Sequence, residues 1–123
     1  MRSLNALKKY LMQKVGIPEC FACGQTNMKM LTLHHHAYHN DSIIYDSYGN
    51  TDDERLKYYA NLNDEVKQRP ENFTVLCHTC HQIVEWLLTL PFHEAYNWIQ
   101  AQNDERIPGI ERCWEETREA RHS

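Results

Sequence analysis

The 123-residue chain lacks any long hydrophobic run. A membrane-spanning helix needs about 20 consecutive apolar residues, whereas the apolar segment 86–90 is far shorter. The N-terminal region also lacks an apolar stretch and a small-residue cleavage site after its first lysines, so it does not resemble a secretory signal. We therefore expect a protein that has no membrane association and resides in the reducing cytoplasm.

An excess of basic residues is also missing, because the net charge is −4. Nucleic-acid-binding domains commonly carry a positive excess, so composition by itself does not indicate DNA. The charge is unevenly distributed, however, since residues 1–19 hold four basic residues against Glu19 alone. This N-terminal segment could contact phosphates while the remaining surface is solvated.

The composition is not that of a disordered chain, since hydrophobic residues make up 41% and three are tryptophan. This length corresponds to about one domain, which we assign to residues 1–123. The core of so short a chain is modest, and a bound metal would help it fold.

Cysteine is scarce, yet four of the five cysteines fall into two C-x-x-C pairs, Cys20 with Cys23 and Cys77 with Cys80. Zinc prefers four tetrahedral ligands, and two such pairs supply four thiolates. We therefore predict a closed structural zinc site that holds the fold and performs no chemistry. The alternatives are four free core cysteines or a redox dithiol. Cys113 is left over, and we expect it to be a small buried hydrophobe.

Hydrophobic periodicity predicts an α+β chain. The first helix covers 4–15, with Ser3 as a possible N-cap. The other predicted elements are a strand over 28–34, a helix over 52–62 capped by Thr51 or Asp52, a strand over 73–76, and helices over 78–90, 92–103 and 110–120. We interpret 39–71 as an insertion between the two strands, and 91–123 as a C-terminal helical extension.

A second candidate metal site involves His81 and Glu85, which are four residues apart on a predicted helix and share one face. His34 or His35, at the end of the first strand, is the natural third ligand. An ion with open positions can polarise a phosphodiester while a nearby imidazole takes a proton from water. The alternatives are an accidental polar patch or a simple metal scavenger. The other histidines, at 39, 78, 93 and 122, are expected to be solvated or structural.

In combination, these motifs resemble the HNH endonuclease family, in its subgroup with a four-cysteine zinc site. The resemblance covers residues 18–88 and lies in four motifs: Cys20-x-x-Cys23-Gly24, Leu31-Thr32-Leu33-His34-His35, Asn72-Phe73-Thr74-Val75-Leu76, and Cys77-x-x-Cys80-His81. Tyr38, after the histidine pair, is also similar to many members. The resemblance implies a small ββα-metal core, which we assign to 18–90.

The resemblance also implies residue roles. His34 and His81 would ligate a catalytic divalent ion (Mg²⁺, Mn²⁺, Ni²⁺ or Zn²⁺), His35 would be the general base, and Asn72 would orient that base. The family often has a histidine at the position of Glu85, and a carboxylate is also an acceptable ligand. The implied activity is hydrolysis of DNA phosphodiester bonds, with DNA contacted through its phosphates.

Two questions stay open at the level of sequence. Because three histidines are consecutive, the working pair could be His34 and His35 or His35 and His36; Leu31 and Leu33 favour the first register. The chain could also be a catalytically inactive, zinc-stapled nucleic-acid-binding or adaptor subunit whose C-terminal helices bind protein partners.

Overall fold

The computed structural model describes residues 3–37 and 51–122. This part of the chain contains a two-stranded antiparallel sheet and five α-helices, so the predicted α+β class is confirmed. The strands are β1 (Leu31–His35) and β2 (Phe73–Cys77), and the helices are α1 (Leu4–Val15), α2 (Asp52–Gln68), α3 (His78–Leu88), α4 (Phe92–Ala101) and α5 (Ile107–His122). Tyr38, His39 and the first part of the interpreted insertion lie outside the described residues.

The sheet brings the two predicted motifs side by side. Leu31 lies opposite Cys77, and His34 lies opposite Thr74. All five residues of β1 are buried, because helices cover the sheet. Since side chains alternate between the faces of a strand, His34 and His35 leave β1 on opposite sides.

Local capping signals explain where two of the helices begin. The Ser3 side chain accepts a hydrogen bond from the Ala6 amide at 3.1 Å, and the Thr51 hydroxyl accepts one from the Glu54 amide at 3.2 Å. Side-chain oxygens at this position satisfy amides that the first helical turn leaves unpaired. The predicted bounds of α1 and the predicted start of α2 agree with the structure.

Three boundaries differ from the sequence prediction by three residues or more, and the others agree within two residues. Residues 28–30 form a 3₁₀ turn, so β1 begins only at Leu31. Helix α2 continues six residues beyond the predicted end at 62, because Val66 packs in the core and Glu65 pairs with Arg69 at 3.2 Å. Helix α5 begins at Ile107 rather than 110, since a proline is tolerated in the first turn of a helix.

The hydrophobic core joins the sheet to helices from both ends of the chain. Leu11 of α1, Tyr59 and Leu62 of α2, Leu87 of α3 and Trp114 of α5 are all almost fully buried. Each such side chain contributes roughly 1.5–3 kcal/mol through removal from water. The C-terminal residues are therefore part of the core, in contact with α3. In the described part of the chain, no helix combines the length and apolar character that crossing a bilayer requires.

Candidate metal centres

The two C-x-x-C turns meet and form one four-cysteine cluster, made of Cys20, Cys23, Cys77 and Cys80. Their sulfur atoms all lie within 4.8 Å of one another, and the Sγ atoms of Cys23 and Cys77 are 3.7 Å apart. Sulfurs bound tetrahedrally to zinc at about 2.3 Å are separated by about 3.8 Å. The four cysteines are thus close enough to bind a metal ion such as zinc.

Backbone hydrogen bonds shape both turns of the four-cysteine cluster. The Cys20 Sγ accepts from the Cys23 amide at 3.5 Å, and the Cys77 Sγ accepts from the Cys80 amide at 3.4 Å. Gly24 closes the first turn with φ +79°, a left-handed conformation that favours glycine. These contacts aim the sulfurs of each pair in the same direction.

The four-cysteine cluster also attaches the N-terminal segment to the sheet and to α3. The Phe21 amide donates to the Val75 carbonyl at 2.8 Å, which joins the first turn to the outer edge of β2. Cys77 is the last residue of β2 and the N-cap of α3. Burial, together with the neighbouring thiols, raises the pKa of the Cys80 thiol. A bound cation would therefore favour thiolates that burial alone disfavours.

A second group of possible ligands, the histidine group, consists of His34 from β1 and His81 and Glu85 from α3. Its ligand atoms also lie within 4.8 Å of one another. Glu85 Oε1 is 3.2 Å from His34 Nδ1 and 3.6 Å from His81 Nε2. His34 is fully buried, whereas the side chains of His81 and Glu85 are 31% and 40% exposed. The group is therefore closed on the sheet side and open toward solvent.

The protonation states fit a metal-binding role. Burial lowers the pKa of His34 to about 4, despite the opposing effect of Glu85. Hydrogen bonding from His34 and His81 lowers the pKa of the Glu85 carboxyl well below its usual range. At neutral pH the group thus offers an uncharged His34 ring and an ionised carboxylate, which are donors that a divalent transition metal accepts.

Helix α5 supplies two contacts to the histidine group that the sequence analysis missed. Thr117, which is fully buried, holds its hydroxyl 2.7 Å from His34 Nε2. Arg121 approaches Glu85 Oε1 with its Nη2 at 3.6 Å. The sequence does show a helical face here, because Cys113, Thr117 and Arg121 are spaced four residues apart. It does not show that this face contacts the histidine group.

Arg121 also holds the end of β1. Its guanidinium donates to the backbone carbonyls of His35, at 3.3 Å, and His36, at 3.1 Å. The same arginine therefore joins the histidine-bearing strand to Glu85 on α3. Such a bidentate donor fixes geometry as well as charge.

The predicted base, His35, is 5% exposed and does not belong to the histidine group. Its ring packs against Phe73 with centroids 4.5 Å apart. Burial, reinforced by His34 and Arg121, lowers the pKa of His35 to about 3. The ring is therefore unprotonated at neutral pH.

Asn72 fastens the chain just after β1 to the start of β2. Its side-chain Oδ1 accepts from the Ala37 N–H at 3.0 Å, and its side-chain Nδ2 donates to the Ala37 carbonyl at 2.6 Å. Its backbone carbonyl accepts from the His36 N–H at 2.8 Å. Both functional atoms of this buried side chain thus hold backbone beyond the predicted base. Nearby, His36 Nε2 lies 2.6 Å from the Thr74 hydroxyl.

Comparison with known proteins gives no match: no family model, no curated protein and no solved structure matches the chain. Two features therefore indicate a function. One is the set of motifs in the sequence, and the other is the geometry of the four-cysteine cluster and the histidine group.

Proposed function

We propose that the chain is a metal-dependent endonuclease of the HNH type, which hydrolyses phosphodiester bonds in DNA. The observation that carries this proposal is the histidine group, in which His34 of β1 meets His81 and Glu85 of α3 within 4.8 Å. Two strands followed directly by a helix that carries ligands is the arrangement that the resemblance implies for a ββα-metal core.

The adjacency of the two metal-ligating groups supports the proposal. Cys80 and His81 are consecutive on α3, and successive residues of a helix point about 100° apart. Cys80 is fully buried in the four-cysteine cluster, while His81 is partly exposed beside Glu85. A structural ion on one side of α3 would thereby hold the helix rigidly, so that its other side presents the ligands of a catalytic ion.

The chain's own residues have distinct roles in this proposal. His34, His81 and Glu85 would hold a divalent ion, which when bound supplies positive charge for the phosphodiester oxygens and the leaving group. His35, held unprotonated by burial, would accept a proton from the attacking water. A low pKa makes this ring a weak base, but an approaching phosphate would raise that pKa through its negative charge.

A second candidate function is a catalytically inactive nucleic-acid-binding or adaptor subunit. A specific contact favours it. Arg121 lies 3.6 Å from Glu85 and so supplies positive charge beside the carboxylate, while Thr117 and Glu85 flank the two ring nitrogens of His34. The histidine group could therefore be a purely structural polar network.

Plasmid nicking with added Mg²⁺, Mn²⁺ or Ni²⁺ tests the proposal. The variants are His34→Ala and His35→Ala, and the matched control is His93→Ala, an exposed histidine on α4. We expect metal-dependent nicking by the wild type and the control, and a loss of about 100-fold or more in each site variant. Bound zinc is measured in every protein, so that unfolding is distinguished from lost chemistry.

The outcomes separate the candidate functions. A further variant, His36→Ala, tests the alternative register: nicking that survives His35→Ala but is lost in His36→Ala would move the base to His36. A folded, zinc-loaded wild type that cleaves neither duplex nor single-stranded DNA with any of these ions would exclude the nuclease and favour the adaptor.

A further inference from the structure

A second polar feature lies at the starts of α1, α2 and α3. It is a cleft of about 450 Å³, which we call the basic cleft. The described residues that line it include the cationic side chains of Lys8, Lys29 and Arg55, the imidazole of His78 and the carboxylate of Asp52. None of these residues belongs to a site predicted from the sequence, apart from the general role of the N-terminal segment.

The basic cleft concentrates positive charge on a chain whose net charge is −4. Its carboxylate, Asp52, is 84% exposed and lies 3.9 Å from the Arg55 guanidinium. At that distance and exposure the pair is weak. Among the described residues of the lining, cationic side chains thus outnumber carboxylates.

Lys8 is the most unusual residue of the basic cleft, because its side chain is only 2% exposed. Its Nζ donates to the Met28 carbonyl at 2.5 Å and lies 5.8 Å from the centre of the Tyr59 ring. In the described part of the chain it forms no ion pair with a carboxylate. A buried ammonium that is neutralised by no acid is costly, so an anionic ligand would stabilise it.

The electrostatic environment agrees with this geometry. Burial and then the charge of Arg55 lower the pKa of Lys8 to about 8. Lys8 therefore experiences neighbouring positive charge, which an anion in the basic cleft would offset.

Helix ends add to the same potential. Neither α1 nor α3 has an acidic residue in its first turn, so the positive ends of their dipoles are not cancelled locally. Amides at such helix starts favour phosphate groups. Here they accompany the cationic side chains rather than acting alone.

Helix α3 connects the basic cleft to the histidine group, because it contributes His78 to one and His81 to the other. His78 precedes the ligand His81 by three residues on α3, a rise of about 4.5 Å along the helix axis. Successive phosphates of one strand advance about 3.4 Å along a duplex. A strand whose scissile phosphate lay at the histidine group could therefore place a phosphate one or two nucleotides away in the basic cleft.

The geometry points to a phosphate-binding site in the basic cleft, which holds a backbone phosphate of the same nucleic-acid strand that reaches the histidine group. This inference rests on the proposed function and adds a substrate-positioning site to it. Lys8 lies at the buried end of the cleft, and Lys29 and Arg55 provide the solvent-facing charges.

Affinity for a fluorescein-labelled DNA duplex and for its single strand, measured across a salt series without added divalent ions, tests this inference. The test variants are Lys29→Ala and Arg55→Ala. The matched control is Lys57→Ala, which removes an exposed cation of α2 that does not line the cleft. Each test substitution should weaken binding about three- to tenfold and reduce the salt slope by about one, whereas the control should match the wild type.

Two further measurements distinguish failure of this inference from failure of the proposed function. The first is a titration with inorganic phosphate, monitored by amide chemical shifts at Asn5, Lys29 and His78. The second is a Ni²⁺ titration that reports on the histidine group. The inference is overturned if the test variants and the control bind DNA equally, or if phosphate binds the cleft without any effect of the variants on DNA affinity. In that event, intact Ni²⁺ binding and nicking would leave the proposed function standing. A wild type that binds no nucleic acid would overturn both.

Discussion

The hydroxyl of Thr117 lies 2.7 Å from Nε2 of His34, and both side chains are fully buried. Thr117 belongs to α5 and His34 to β1, so the bond joins the C-terminal helix to the strand that carries the histidines. A hydroxyl can donate or accept. It can therefore donate to Nε2 when Nδ1–H bonds Glu85, and accept from Nε2–H when a cation takes the Nδ1 lone pair.

We expect Thr117→Val to weaken metal binding at the histidine group, because valine fills similar space but cannot bond Nε2. Partners that orient a ligating histidine are worth about 10- to 100-fold in metal affinity. Titration with Co²⁺, followed by its visible absorption, measures this loss. Thr117→Ser keeps the hydroxyl and should restore most of the affinity. Equal affinities in the valine variant and the wild type would mean that Thr117 is merely a packing residue.

Removal of metal from the four-cysteine cluster should destabilise the fold, because this cluster attaches the first turn, β2 and α3 to one another. We expect about one equivalent of zinc per chain, lost in Cys77→Ser together with a cooperative thermal transition. Elemental analysis and thermal unfolding measure the two quantities. Cys113→Ala is the control, since Cys113 is buried outside the cluster and should keep its zinc. Retention of zinc by Cys77→Ser would contradict the assignment.

Lys8 should make stability depend on pH in the alkaline range. Its pKa is lowered from 10.5 to about 8 in the folded protein, so between these values the unfolded chain binds more protons and the free energy of unfolding rises with pH. Below pH 8 both states are protonated, and the destabilisation is fully present. The difference in unfolding free energy between wild type and Lys8→Met should therefore shift by about 1–3 kcal/mol in favour of the wild type between pH 8 and 10.5. Urea titrations at several pH values measure it, and a constant difference would contradict the pKa shift.

Local signals account for much of what the sequence could predict. The Ser3 cap and the leucine spacing define α1, because helix starts depend on neighbours within one turn. The C-x-x-C spacing and the separation of His81 from Glu85 are likewise local, so both sets of residues could be identified before their partners were known.

The remaining features depend on contacts between distant segments. Thr117 follows His34 by 83 residues, and nothing in its own helix indicates a histidine partner. The burial of Lys8 similarly depends on α2 and on the turn at 28–30, neither of which is adjacent in sequence. Tertiary packing rather than periodicity determines these positions, and they are the ones that shape both the histidine group and the basic cleft.

Substitution of Arg121 distinguishes two interpretations of the histidine group, a metal site and a structural polar network. Its guanidinium lies 3.6 Å from Glu85, where it competes electrostatically with any cation that this carboxylate binds. If the histidine group is a metal site, Arg121→Met should raise Ni²⁺ affinity severalfold, because charges at such distances in partly exposed sites interact by about 1–4 kcal/mol. Arg112→Met, which removes an arginine paired with Glu116 on the same helix, should leave that affinity unchanged.

Arg121→Met should also lower the unfolding free energy by about 1–3 kcal/mol, since Arg121 donates to the carbonyls of His35 and His36. Calorimetric Ni²⁺ titration and urea unfolding of the same samples therefore give opposite signs for the two effects. Reduced stability without any measurable Ni²⁺ binding, in both the variant and the wild type, would instead identify the histidine group as a network that holds β1, α3 and α5 together, and would favour the adaptor over the nuclease.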